Sequence, residues 1–180
     1  VTGGGGRIGH VVVQDLLDHG HEVTILDRRM QKETPCKFVF TDLRDRAHVQ
    51  PAMESAEVLV HIGELPGPWG AATFEQVYSE NAAAGSTVMQ TAADLKYKRI
   101  VYISSCQVYG FAFGFWGEYF AVPQHLPFDE THPVNPTNPY SAGKVANEAF
   151  AKMLAVSRKL SVATIRFPWV INMPDPNHHV

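Results

Sequence analysis

The stretch Thr2-Gly3-Gly4-Gly5-Gly6-Arg7-Ile8-Gly9 constrains this chain more than any other. Its key glycines fall at Gly3, Gly6 and Gly9, and an apolar set at helical spacing follows in Ile8, Val11, Val12, Leu16 and Leu17. A loop that opens straight into a helix presents the unpaired N–H groups of the first turn and the positive end of the helix dipole. Glycines let such a loop turn tightly and let its backbone approach a pyrophosphate, which side chains would prevent. Taken alone, a glycine cluster also reads as a flexible linker.

The rest of the chain sets the loop in context. The first helix, predicted over 6–19, stops at Gly20, a residue suited to the left-handed turn that ends helices. A short β-branched strand over 21–26 ends in Asp27. A carboxylate at this spacing from the glycine loop belongs on a ribose; the alternative is an ordinary turn or capping aspartate. Further strands are expected over 37–41, 57–62, 99–104 and 161–167, the second of these nearly continuously apolar, as a strand buried on both faces should be. Helices are expected between them: a weak one over 44–55 interrupted by Pro51, a long one over 74–95 with small residues at Ala82, Ala83, Ala84 and Gly85, and one over 139–159. The 106–138 segment reads as irregular. Strands alternating with helices, with no internal repeat, predict an α/β fold: a doubly wound parallel sheet with helices on both faces.

Composition narrows the class. The 180 residues are read as one domain, 45% hydrophobic, enough for a sizeable core. A net charge of −3 argues against nucleic acid as a partner. Neither a membrane-spanning apolar run nor a signal peptide is expected. Cys36 and Cys106 lack metal-site spacing and read as reduced thiols of a cytoplasmic protein. The nine histidines are scattered, and His178-His179 reads as a solvated tail, so no metal site is predicted. The chain begins at Val1-Thr2, inside what should be the first strand, and ends in Pro174-Asp175-Pro176-Asn177, a loop composition. It reads as a fragment of something longer, and so as not active by itself.

Chemistry gathers at Ser105, just past the strand over 99–104, and at Tyr140 and Lys144 in the following helix. Four residues apart, Tyr140 and Lys144 share a helix face. An ammonium beside a phenol favours phenolate; lowering a tyrosine from about 10 to near 7 takes roughly 4 kcal/mol of differential stabilisation. A lysine, a cationic nicotinamide ring and a low-dielectric pocket together supply that. The tyrosine then exchanges a proton with a substrate hydroxyl or carbonyl while hydride moves, and Ser105 hydrogen-bonds the same oxygen. The alternative is a surface helix pair.

The motifs together resemble the extended short-chain dehydrogenase/reductase superfamily, in its NAD-dependent epimerase/dehydratase branch. The matching residues are Thr2-Gly3-x-x-Gly6-x-x-Gly9, Asp27, Asp42-Leu43, Asn81 with Gly85-Ser86-Thr87, Ser105-x-x-Val108-Tyr109-Gly110, Pro127-Phe128-Asp129-Glu130, Pro139-Tyr140-x-x-x-Lys144 and Arg166-Phe167-Pro168. They run from end to end in order. The resemblance implies a Rossmann-type domain over 1–180, a smaller C-terminal substrate domain that is missing, and Ser105, Tyr140 and Lys144 as the catalytic triad. It puts Gly3, Gly6, Arg7, Ile8 and Gly9 on the pyrophosphate, Asp27 on the adenosine ribose and Asp42-Leu43 on the adenine, with Arg28 also on the cofactor. Ile62, Gly63 and Asn81 also fall on the cofactor, Lys144 on the nicotinamide ribose beside Tyr140, and Phe167-Pro168 beside the nicotinamide. NAD is the expected cofactor because Asp27 repels a 2′-phosphate; NADP is the alternative, since Arg28, Arg29 and Arg7 offset that repulsion.

The chain departs from the family at three places. Gly63-Glu64 stands where two small residues are usual, and Glu64 either reads a substrate hydroxyl or points to solvent. Arg7 replaces a residue that is often aromatic. An insertion carries Phe111, Phe113, Phe115, Trp116, Tyr119 and Phe120, which either pack onto a second domain or partner or line the substrate pocket.

The expected function is an NAD(P)-dependent epimerase or dehydratase acting by reversible hydride transfer on a sugar or sugar nucleotide. The alternatives are a net dehydrogenase or reductase resembling uronate dehydrogenases, and a non-catalytic dinucleotide-binding redox sensor. A homodimer is expected, because the helix over 139–159 carries Val145, Ala149 and Met153 on one row and Ala146, Phe150 and Leu154 on the next.

Overall fold

A computed structural model describes residues 1–30, 35–67, 72–110, 122–168 and 170. The described elements in chain order are α1 (Arg7–Asp18), β1 (Thr24–Asp27), β2 (Lys37–Phe40), α2 (Arg46–Met53), β3 (Val58–His61), α3 (Phe74–Asp94), β4 (Arg99–Ser105), a 3-10 turn (Cys106–Tyr109), α4 (Pro139–Ser157) and β5 (Ser161–Phe167). The aromatic insertion lies outside the described residues.

Each helix carries its own start signal. Asp45 accepts from the Ala47 amide at 3.0 Å at the head of α2. Thr73 and Gln76 form a reciprocal capping box on α3, as Asn138 and Ser141 do on α4, where Pro139 fills the first turn. α1 ends where Gly20 turns into the left-handed region at φ 78°. There the amides of Gly20 and His21 donate to the carbonyls of Leu17 and Leu16. Helix α2 runs through Pro51 rather than breaking at it, and ends at Met53. The 3-10 turn corrects the expectation of an irregular start to the 106–138 segment: the Ser105 hydroxyl caps it by accepting from the Gln107 amide at 3.2 Å.

All strand pairs are parallel: β1 with β2, β3 with β4, and β4 with β5. Thr2 joins the two groups by bridging Leu26 of β1 and His61 of β3. Its amide donates to the Val60 carbonyl, and the Leu26 amide donates to the Val1 carbonyl, each at 2.9 Å. The spatial order is therefore β2-β1-(Val1, Thr2)-β3-β4-β5. The chain builds outward from Thr2 first to one side and then to the other, so the crevice lies past the carboxyl ends of the strands flanking Thr2.

Helices cover both faces. Alternation along β1 divides the cores: Ile25 packs with Val13 of α1, while Leu26 joins Val49, Leu59, Val88, Met89, Ile100, Tyr102 and Leu154 on the opposite face. There α3 and α4 approach so closely that a Cβ on Gly85 would fall 2.3 Å from the Asn147 amide group. This is a Rossmann-type α/β sheet, as its strand–helix alternation predicts.

Candidate functional site

The glycine loop has the tight path expected of it. Gly3 adopts φ 70° and lies against Gly63, where a Cβ would come within 2.5 Å of Gly63 Cα. A Cβ on Gly9 would meet the Gly3 carbonyl oxygen at 2.0 Å, so α1 abuts the loop with no space for a side chain. Gly6 differs: it is the N-cap of α1 and its Cβ position has only Gly3 O nearby, at 3.3 Å. The helix end therefore opens into a cleft of about 510 Å³ lined by the loop, Asp27, Asp42, Leu43, Ile62, Gly63, Ser105, Tyr140, Lys144, Phe167 and Pro168, among others. Arg7, Ile8, Arg28 and Asn81 line the same cleft. Every residue that sequence reading assigned to catalysis or cofactor is thus brought to one crevice.

Their engagements differ. Asp27 accepts from the Gly5 amide at 3.0 Å and the Arg29 amide at 3.1 Å, so the carboxylate is fixed at the floor of the loop. Asp42 is held by Arg44 through two side-chain bonds of 2.9 and 2.6 Å. That guanidinium keeps the Asp42 carboxyl down at about 2. Arg28 lies 3.2 Å from Glu80 and 3.8 Å from Asp42, and Arg44 also lies 3.4 Å from Glu80. Two cations and two carboxylates thus form a closed cluster at the cleft edge. Arg44 and Glu80 went unrecognised in the sequence, for no spacing rule joins a loop arginine to a carboxylate on α3. Asn81 spends its side chain on the loop after β3, accepting from the Leu65 amide at 2.7 Å and donating to the Leu65 carbonyl at 2.9 Å. It shapes the cleft wall by holding that loop.

At the catalytic end, Lys144 is 3% exposed and donates to the Ile103 carbonyl at 2.5 Å. Its ammonium sits 5.4 Å from the centre of the Tyr140 ring and 5.1 Å from that of Tyr102. The Ser105 oxygen already accepts from Gln107 N, which leaves its hydroxyl proton to donate.

Glu64 is where the expectation fails. It neither points to solvent nor stands ready for a substrate hydroxyl: its side chain is 2% exposed and turns inward, with Oε2 3.1 Å from Lys144 Nζ. Oε1 accepts from Tyr102 Oη at 2.7 Å and from Asn147 Nδ2 at 3.0 Å. Oε2 meets Lys144 as an ion pair and has no hydrogen-bond partner. Asn81 holds both the amide and the carbonyl of the next residue, Leu65, so the carboxylate has an ammonium within reach and little backbone freedom to leave it.

His61 completes the buried group. Thr2 Oγ1 accepts from the amides of Ile62 and Gly63 at 3.2 and 3.3 Å, so its own proton goes to His61 Nδ1 at 2.6 Å. Nε2 therefore carries the imidazole hydrogen; it faces Glu64 Oε1 at 3.8 Å, beyond bonding distance. Burial pushes the imidazole down to about 4, so it is neutral at pH 7. Burial, and then the neighbouring Glu64 charge, push the Tyr102 phenol up. No group of three or more metal-ligating side chains occurs among the described residues, and no helix among them is long and apolar enough to cross a membrane.

A glycine loop at a helix N-terminus, a carboxylate at the end of β1 and a cleft at the switch in strand order define a dinucleotide-binding protein. Residues 1–177 match the model of the NAD dependent epimerase/dehydratase family, and the chain belongs to that family. It is 30% identical over 184 aligned positions to UDP-glucose 4-epimerase of Bacillus subtilis (strain 168), covering 93% of this chain and 51% of that protein. It is 28% identical to the L-arabinose 1-dehydrogenase (NAD(P)(+)) of Haloferax volcanii, covering 97% of this chain and 68% of that one. Among solved structures, a short-chain dehydrogenase/reductase superfamily protein from Agrobacterium tumefaciens with bound NAD superposes with a TM-score of 0.80 at 25% identity. That likeness covers 92% of this chain and 47% of the other. Against the UDP-glucose 4-epimerases it matches, the chain spans about half the length.

Proposed function

We propose that this chain provides the cofactor-binding and acid/base half of an enzyme that transfers hydride reversibly at a hydroxyl-bearing carbon of a sugar or sugar nucleotide, as an epimerase or dehydratase. The observation that carries this reading is the convergence of Ser105, Tyr140 and Lys144 on the cleft that also holds the Gly3–Gly9 turn and Asp27. The residues fit a dinucleotide. A Cβ at Gly3 or Gly9 would collide with backbone, the N-cap at Gly6 is open, and Asp27 offers a fixed acceptor for ribose hydroxyls. NAD, when bound, supplies the hydride acceptor and donor.

The chain's own residues supply the rest. The Tyr140 oxygen takes the proton from the substrate hydroxyl as that carbon is oxidised and returns it on reduction. Ser105 donates to the same oxygen, and Lys144 places a cation beside the Tyr140 ring. Arg28 and Arg44 are occupied by Asp42 and Glu80, which favours NAD over NADP, because neither guanidinium is spare for a 2′-phosphate. Side-by-side titration of NADH and NADPH into the full-length protein tests this; tighter NADPH binding overturns it.

A net dehydrogenase is the second reading, favoured by the likeness to L-arabinose 1-dehydrogenase, of which the chain covers 68%. The two differ in whether the cofactor is regenerated within each cycle: stoichiometric NADH release during turnover selects the dehydrogenase. A redox sensor would bind nucleotide without turnover on any sugar substrate. The exposed apolar side chains Phe74 and Tyr78 of α3 and Met153 and Val156 of α4 support a homodimer built on these helices. Within α4, Leu154 is buried in this chain's own core and Phe150 packs against it, which leaves the row of Val145, Ala149 and Met153 for a partner. Sedimentation of the full-length protein as a monomer at micromolar concentration would remove the dimer. The thiol of Cys106, which is in no disulfide, supports a cytoplasmic setting.

A further inference from the structure

We propose that Glu64 is the built-in counter-charge of Lys144, and that by offsetting part of the ammonium's charge inside the cleft it sets the preference for the oxidised, cationic nicotinamide over the reduced one. The inference rests on the proposed NAD site. It requires only that a nicotinamide ring lie in the part of the cleft lined by Lys144 and Phe167.

Lys144 and Glu64 are 3% and 2% exposed and 3.1 Å apart, so water screens neither charge. A lone buried ammonium would repel a pyridinium ring and disfavour it against dihydronicotinamide, which carries no charge on the ring. Paired with Glu64, the same lysine keeps its hydrogen bond to Ile103 O and its place beside the Tyr140 ring, while the carboxylate offsets part of its field across the rest of the cleft. The carboxylate is held for this task from three elements: Tyr102 Oη of β4 and Asn147 Nδ2 of α4 donate to Oε1, and Asn81 of α3 pins the adjoining Leu65. The other titratable groups packed against the pair are His61, Tyr102 and Tyr140. His61 on β3 is neutral at pH 7, Tyr102 is a phenol donating to the carboxylate, and Tyr140 on α4 faces the ammonium with its ring. Glu64 is therefore a positioning and charge-balancing residue that touches neither the reacting carbon nor the hydride.

The test compares affinities for two ligands that differ in one charge. NAD⁺ and NADH are titrated separately, at neutral pH, into the full-length protein and into its Glu64→Gln, Glu64→Asp and Lys144→Met variants. A unit charge roughly 10 Å from another, at an effective dielectric of about 20, shifts an equilibrium roughly tenfold. The ratio Kd(NAD⁺)/Kd(NADH) is therefore expected to rise about tenfold in Glu64→Gln and to stay within about twofold in Glu64→Asp. In Lys144→Met, where the carboxylate is left alone, the ratio falls. A purely structural Glu64 would weaken both ligands equally, and an unchanged ratio in Glu64→Gln overturns the proposal. Should the neutral Glu64 variant fail to fold, the opposite-signed shift in Lys144→Met decides, and no fall there overturns the proposal as well. If the unmodified protein binds neither form, the NAD site itself is wrong, a result distinct from binding with an unmoved ratio.

Discussion

The guanidinium of Arg166 forks onto the carboxylate of Glu148, with Nε to Oε1 at 3.0 Å and Nη2 to Oε2 at 2.7 Å. Ser104 Oγ adds a 2.5 Å bond to Oε1, and Arg166 Nη1 reaches Tyr109 Oη at 2.8 Å. The pair ties β5 to α4 beside the cleft, and Glu148 raises the Arg166 guanidinium further above its usual range. Glu148→Gln leaves a partly buried cation without its counter-charge and without one of its three hydrogen bonds, and is expected to cost about 2 kcal/mol of unfolding free energy. Chemical denaturation, read as a lower midpoint at unchanged slope, checks it.

Tyr140→Phe is expected to abolish turnover while leaving NAD binding nearly intact, because the phenol acts on substrate. Lys144→Met should harm both, through the lost ammonium beside the ring and the lost ribose contact. Retention of even about a tenth of the activity in Tyr140→Phe, a barrier change of only about 1.4 kcal/mol, would point to another acid/base.

The glycines separate by what surrounds them. Gly9→Ala forces a Cβ to 2.0 Å from the Gly3 carbonyl, so the loop must move, with loss of nucleotide binding. The strain is expected to cost roughly 3 kcal/mol of stability. Gly6→Ala meets only Gly3 O at 3.3 Å and should fold nearly normally, yet its methyl stands at the open helix end and should weaken NAD strongly. Melting curves and NADH titrations on the two variants check this: a Gly6→Ala protein that binds NADH normally would mean that the pyrophosphate lies elsewhere.

His61 makes the fold acid-sensitive. Its pKa falls from 6.5 to about 4 on folding, so the unfolded chain binds the proton more readily. The full contribution of the neutral buried imidazole is present above 6.5 and is lost as pH falls from 6.5 towards about 4. The slope is about 1.4 kcal/mol per pH unit, roughly 3 kcal/mol in all. His61→Phe, which cannot titrate, should flatten this part of the stability–pH curve; an unchanged slope would assign the acid lability to other groups.

Much of this molecule was legible in its sequence because local pattern and tertiary role coincide. The Gly3, Gly6 and Gly9 spacing, the apolar strands and the cap residues each describe one element, and β5 spans the predicted 161–167. Tyr140 and Lys144 were legible for the same reason, since helical spacing alone puts them together. Glu64 was not. Its direction is decided by Tyr102, Asn147 and Lys144, contributed by two elements distant in sequence, and a loop carboxylate carries no periodicity that reveals an inward turn. The Arg44–Glu80 contact is of the same kind, a pairing across the fold between a loop and a helix. Pro51 misled in a different way: a proline near the end of a short helix removes a donor where few bonds remain to be lost.

Asn147 has a consequence of another kind. Its amide hydrogens reach Glu64 Oε1 and the Asn81 carbonyl, each at 3.0 Å, while its side chain fills the space that Gly85 leaves open. One side chain thus sets the spacing of two helices and also orients the carboxylate beside Lys144. Positions 64, 85 and 147 are therefore not free to drift separately. A lineage that exchanges Glu64 for a small residue strands the Asn147 donor, and one that enlarges position 85 evicts it. Substitutions at these three sites should consequently appear together across descendants of this sequence, as a correlated set.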